Sequence, residues 1–336
     1  METMMGIRCL LFSLLYILPL LPVSGEHDNH HHYHSSSHSS HSCIHDHLTL
    51  PTQSPSARSR ILYKSNHRPS RSLEDLTIDD TSRAPLRIHT FYDIKTTTEQ
   101  TTLIQEKIMP QAVNFWSSTL RVFPVQNKLL FDRTCVSSFN LPDGTKRCAS
   151  LNSPEICGAT SVTIPNTWFN ARQSCTSCDS SGTCSGCQNS AAGVGLTSTD
   201  FALVIHVEST THCTSSPSTL AYAYACKWDQ FDRPILGHIN FCPDASAASS
   251  QTLQMLTAKH EIAHALGFSS QSWPLMRHRD GKTPRTARDA SSGVPAKSSM
   301  TCVDGTTKDV VAASSESLKY GAMRSVLHTY KLVRKF

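Results

Sequence analysis

The 336-residue chain contains no Asn-x-Ser/Thr sequon, so N-linked glycosylation is not expected. Beyond one apolar run at residues 9–22 it has no second run of membrane-spanning length. The terminal HTYKLVRKF offers no hydrophobic tail of the kind a lipid anchor needs, so a spanning or lipid-anchored form is not expected. Charged residues are only 17% of the chain and the net charge is +5. The clearest basic cluster is Arg58, Arg60, Lys64, Arg68 and Arg71. It reads as a nucleic-acid patch or, more simply, as a solvated, protease-sensitive segment, and no nucleic-acid partner is expected. Peripheral membrane contact stays compatible with these features, and a monomer is the default expectation.

What is present begins with Arg8, followed by CLLFSLLYILPLLP and the small residues Val23, Ser24 and Gly25. That order marks residues 1–25 as a secretory signal peptide and the protein as secreted. Ten of the 13 cysteines lie between Cys135 and Cys242, a density that in an oxidising compartment implies disulfides. CTSCDSSGTCSGC (175–187) also resembles two metal knuckles, but its spacer is far shorter than a zinc ribbon's, and disulfides are the preferred reading. Residues 26–84 read as a disordered leader. Nine histidines lie between His27 and His47 among serines, where no core can form, and the tract is either a weak metal binder or a plain polar leader.

Order is expected from residue 85. PLRIHTFYD (85–93) is strand-like, and residues 99–121 place apolar side chains at helical spacing with a kink expected near Pro110. VQNKLLF (125–131) reads as a short strand and the cysteine-rich 132–195 as loops with brief strands. FALVIHV (201–207) reads as a central strand, LAYAYAC (220–226) as one exposed on one face, and PILGHINF (234–241) as a third. SSQTLQMLTAKHEIAHALGF reads as a helix, with Ser249 or Ser250 as N-cap and Gly267 as its stop. Strands followed by this helix suggest an α+β layer structure.

Within that helix stands HEIAH. Residues four apart share a helix face, so His260 and His264 can both reach one ion, and imidazole nitrogen suits Zn²⁺ at about 2.0–2.1 Å. Glu261 is rotated about 100° from His260, beside the metal rather than on it. There it can take a proton from a water whose pKa the metal lowers to about 7, and pass it to a leaving amine. The order ligand, base, two spacers, ligand is what peptide hydrolysis needs. Two ordinary histidines and a glutamate on a helix are the plainer alternative, weakened by the three preceding strands and the closing Gly267.

PLRIHTFYD, CGATSVTIP (157–165), YACKWDQFDRPILGHINFCP (224–243) and HEIAHALGFS follow one another in an order and rough spacing that resemble the leishmanolysin family of metzincins, in its invadolysin-like branch. The similarity covers roughly residues 43–330. It implies a secreted zinc metalloendopeptidase acting on proteins or peptides, with one Zn²⁺ per chain on His260 and His264. The implied fold is zincin-like: a twisted mixed sheet, a backing helix and the HExxH helix within a catalytic subdomain at 85–270. The antiparallel edge strand bordering the cleft would be LAYAYAC, or that segment is an ordinary edge strand. The family's Cys-x-His-Asp stretch matches Cys43, Ile44, His45 and Asp46, whose thiolate would occupy the zinc and hold a zymogen latent, with activating cleavage at 58–71 or 82–85. A stray cysteine or an intermolecular disulfide is the alternative.

A compact version of the motif would put a third histidine at position 270, where Ser270 stands. The family's third histidine follows an insertion, in an SHW-like context before a methionine turn, and neither is found in 271–336. His278 reads as a surface residue and His328 as a weak substitute. With Cys9 and Cys43 set aside, 11 cysteines remain, an odd number that leaves one, Cys302 for instance, without a partner. The resemblance therefore implies that the C-terminal subdomain is largely missing. Two further functions follow: an inactive secreted binding or decoy paralogue, and a metal-sequestering protein dominated by its histidine tract.

Overall fold

The three apolar segments and the PLRIHTFYD strand pair with one another. β1 (Ile88–Tyr92), β2 (Phe201–Val207), β3 (Ala221–Trp228) and β4 (Pro234–Phe241) form one sheet in the order β3-β4-β2-β1. β2 runs parallel to both β1 and β4, and β3 lies antiparallel to β4 at the edge, so the sheet is mixed. The computed structural model describes residues 58–63, 83–94, 98–157, 162–278, 283–289, 295–301, 307–311 and 331–332. The signal peptide, the histidine tract with Cys43, Cys302 and His328 lie outside the described residues.

Strand alternation sends side chains into two cores. Phe201, Leu203 and Ile205 join Ala221, Ala223, Ile239 and Phe241 beneath the helices. Ala202 and Val204 join Tyr222, Tyr224 and Leu236 against Phe131, Trp168 and Phe169. Both faces of β2 are thus covered, as its continuous apolar run requires. The expectation that the 220–226 strand leaves one face exposed is corrected: every residue of β3 is buried. Its alanines lie under the helices and its tyrosines under the cysteine-rich layer, where the Tyr224 hydroxyl donates to the Cys157 carbonyl.

All ten cysteines between 135 and 242 are paired: 135–148, 157–226, 175–187, 178–184 and 213–242. The knuckle-like cluster is therefore two nested disulfides. Cys157–Cys226 closes a sequence separation of 69 and ties the cysteine-rich layer to β3. In the chain-entropy picture such a loop stabilises by about 4 kcal/mol. Beside it Lys227, buried on β3, donates to the Asp132 carbonyl, to the Thr134 hydroxyl and to Glu155 Oε2 at 3.2 Å.

The helix expected over 99–121 forms as Glu99–Leu103, a π-turn at Ile104–Ile108 and α1 (Met109–Thr119). A capping box of Thr98 and Thr101 starts it. The irregularity falls just before Pro110. Proline has no N–H and its ring crowds the carbonyl four residues back, and a widened turn accommodates both. Order also begins earlier than residue 85: residues 58–63, read above as disordered leader, pack against the domain, with Ser59 and Ile61 buried. Among the described residues no helix is long and apolar enough to cross a membrane.

α2 (Gln251–Ala265) carries HEIAH. Ser250 caps it by accepting from the Leu253 N–H. Gly267, at φ +91°, ends it: Gly267 N–H donates to the His264 carbonyl and Phe268 N–H to Ala263, a Schellman turn. The helix lies close on β4 because position 237 is glycine. A Cβ there would meet the Ala265 Cβ and the Phe201 ring, each at 2.8 Å. Gly237→Ala should cost about 1–3 kcal/mol through overpacking, read as a lower denaturant midpoint at unchanged slope. A midpoint equal to the parent's would mean that this approach is not tight.

Candidate metal centre

One helical turn brings the His260 and His264 Nε2 atoms to 3.0 Å, with the ring planes at 79°. Two nitrogens on one tetrahedral ion at the usual zinc distance stand about 3.3 Å apart, so the pair is positioned to share a cation. His264 is almost fully buried and His260 partly so. His264 Nδ1 lies 2.8 Å from the Phe268 carbonyl, which can only accept. Nδ1 therefore carries a proton, and in the neutral ring the Nε2 lone pair faces His260, the tautomer and orientation of a metal-ligating imidazole.

Glu261 points elsewhere on the helix, towards β3, and is buried. Burial pushes its carboxyl well above the ordinary carboxylate range, opposed by a hydrogen bond from the Ala223 backbone N–H. The arrangement is thus two converging imidazoles with a desolvated carboxyl one residue away. Chemically it can hold a soft-to-borderline divalent ion and exchange a proton beside it. Trp116 steadies the helix from behind, its indole N–H donating to the Lys259 carbonyl at 2.9 Å while its ring packs on Phe268.

Among the described residues no group of three or more His, Cys, Asp or Glu side chains is placed to hold a metal. Ser270 opens a short 3-10 turn, Ser270–Leu275, and His278 follows it, its backbone N–H bonded to the Thr283 carbonyl. A second imidazole pair, His206 and His238, lies on the opposite face of the sheet with ring centroids 5.3 Å apart. His206 Nε2 is 3.0 Å from Asp93, and burial holds His238 well below the usual histidine range.

The motif gave His260, Glu261 and His264 but not the groups that orient them. Those are backbone atoms, the Phe268 carbonyl and the Ala223 N–H, which no side-chain pattern encodes. The glycine stop was the available signal, since the turn at Gly267 is what folds the Phe268 carbonyl back over His264.

The family model described as Leishmanolysin matches residues 167–304, a span that includes β2, β3, β4 and α2. The chain is 34% identical to the leishmanolysin-like peptidase of Caenorhabditis briggsae over 216 residues, 61% of this chain and 31% of that protein. It is likewise 34% identical to that of Drosophila melanogaster over 220 residues, 63% of this chain and 31% of the relative. With the ciliated left-right organizer metallopeptidase of Xenopus laevis it shares 31% identity over 254 residues, 69% of this chain and 32% of the other. The chain spans about a third of the length of these relatives. The domain built on the sheet and the HEIAH helix thus matches the leishmanolysin family, and the chain is similar to leishmanolysin-like peptidases over about 60% of its length.

Proposed function

We propose that the protein is a secreted zinc metalloendopeptidase. The observation that carries this reading is the convergence of two imidazole nitrogens at 3.0 Å, with His264 locked in the ligating tautomer by Phe268. Similarity to a metallopeptidase family supports it, and protein or peptide substrates follow from that class. Secretion is supported by five disulfides, which persist in oxidising compartments.

His260 and His264 would hold the ion. Zinc bound there supplies Lewis acidity, polarising a carbonyl and making water acidic near neutral pH. Glu261 receives the proton of the attacking water on its carboxylate and delivers it to the departing amine. The Ala223 N–H holds that carboxyl against the edge strand. Among the described residues β3 pairs as a strand with β4 alone, and an extended substrate would add to its other edge through backbone hydrogen bonds. Cys43 would serve as the latent enzyme's zinc ligand.

The test is a zinc isotherm on the chain lacking residues 26–47, which removes the histidine tract and Cys43 together. One zinc per chain, lost in His264→Ala, is expected. Stoichiometry and affinity unchanged in that variant would sink the reading. If the deletion itself abolished most binding, the protein would instead be a metal sequesterer through its leader. Site binding only in the micromolar range or weaker would favour the inactive binding paralogue.

A further inference from the structure

Residues 58–63 are held as a bound peptide is held. Ser59 N–H donates to the Trp228 carbonyl at 3.0 Å, and Ser59 bridges Asp229 in parallel register at the end of the open edge of β3. The Ser59 hydroxyl accepts from Asp132 N–H at 2.8 Å. Gln230 clamps Ile61 from both sides, its Oε1 accepting the Ile61 N–H and its Nε2 donating to the Ile61 carbonyl, each at 2.8 Å. The Leu62 carbonyl accepts from Gln126 N–H at 2.8 Å. Three side chains complete the grip. Arg58 is ion-paired with buried Asp232, Ile61 enters the second core, and the Tyr63 hydroxyl donates to Asp229 while the Arg233 guanidinium lies 4.8 Å from its ring. Arg60 and Leu62 face outward, the in-out alternation of an extended strand.

We propose that this groove, lined by Gln126, Asp132, Trp228, Asp229, Gln230 and Asp232, is a peptide-binding site whose occupant is the chain's own leader. The leader then stays attached without a covalent link when the chain is cut between residues 64 and 82. The chemistry recognised is a cation at 58, a small residue at 59, an aliphatic at 61 and a phenol at 63, on an extended backbone. Every partner named lies at 126–132 or 228–233, so the grip does not depend on the tether at 64–82. The tether contributes effective concentration only. One consequence rests on the peptidase reading: a cut alone would not activate the enzyme, because release of residues 58–63 must follow it. Retention itself is independent of activity.

The experiment uses the full chain carrying Cys43→Ser, with a site-specific protease sequence inserted after Ser72, cut and passed over a native sizing column. The leader fragment should co-elute with the body and be displaced by excess synthetic peptide of residues 57–64. Arg58→Ala with Tyr63→Phe should release it roughly tenfold faster or more, chiefly through the lost hydrogen bond from the Tyr63 hydroxyl to Asp229, since Asp232 keeps Arg277 and Arg288 as partners. A parent leader that elutes alone, or a double variant that holds its leader as long as the parent does, overturns the proposal. If the double variant does not fold, displacement by the 57–64 peptide in the parent decides: no displacement at excess peptide means the groove is not the site of retention.

Discussion

Replacing Glu261 by Gln should lower peptide hydrolysis by roughly 10²–10⁴-fold, the usual contribution of a positioned general base, while leaving zinc binding in place. The amide keeps the size of the side chain and can still accept the Ala223 N–H, but it cannot take up a proton. Stability should move the other way. Burying a carboxylate with one backbone N–H to offset its desolvation is costly, which is why burial raises its pKa. The metal-free Gln variant should therefore melt at or above the parent's temperature. A loss of activity with higher stability is the mark of a residue kept for chemistry. Hydrolysis at the parent's rate would remove Glu261 from the mechanism, and loss of zinc together with activity would make it a residue that shapes the site.

The second large effect concerns Lys227. Lys227→Met should destabilise the protein by about 3–5 kcal/mol, because Glu155 is left as a charge in a buried site with one hydroxyl and one backbone N–H beside it. Adding Glu155→Gln should recover much of the loss, and a double-mutant cycle by urea unfolding measures the coupling. A single variant within about 0.5 kcal/mol of the parent would show that water reaches the site. Burial, the larger influence, holds Lys227 below its ordinary 10.5, with Glu155 opposing. The folded chain therefore binds that proton less tightly than the unfolded chain does. Between the folded value and 10.5 the unfolded state carries more protons, so the contribution of this lysine to stability rises with pH in that window. Lys227→Met should flatten that rise.

Much of the architecture was legible because it is written locally. The continuous run of β2, the strand at 88–92 and the caps of α2 are properties of a few neighbouring residues, and each forms where the pattern put it. So is the convergence of His260 and His264, which only requires that the segment be helical. Cysteine density announced disulfides but not their partners, since ten cysteines admit many pairings and the chain path chooses among them. β3 misled for a related reason. Alternating alanine and tyrosine looks like one wet and one dry face, but a tyrosine is equally suited to burial when its hydroxyl finds an acceptor, and Cys157 and Thr210 supply them.

By itself, the sequence determined the helix that presents the imidazole pair, the strand segments and the oxidised, cysteine-stapled character of the middle of the chain. Only the tertiary structure decided what orients that pair and Glu261, and what holds residues 58–63 at the end of the sheet edge. The Phe268 carbonyl, the Ala223 N–H and the space at Gly237 are backbone features, and they acquire meaning when α2 meets β3 and β4. Residues 58–63 read as disordered leader because the stretch around them is rich in Ser, Pro and Arg, although Ile61, Leu62 and Tyr63 are apolar. They are ordered by partners about 70 and 170 residues away, and hydrogen bonds between segments so distant leave no periodic trace in either one.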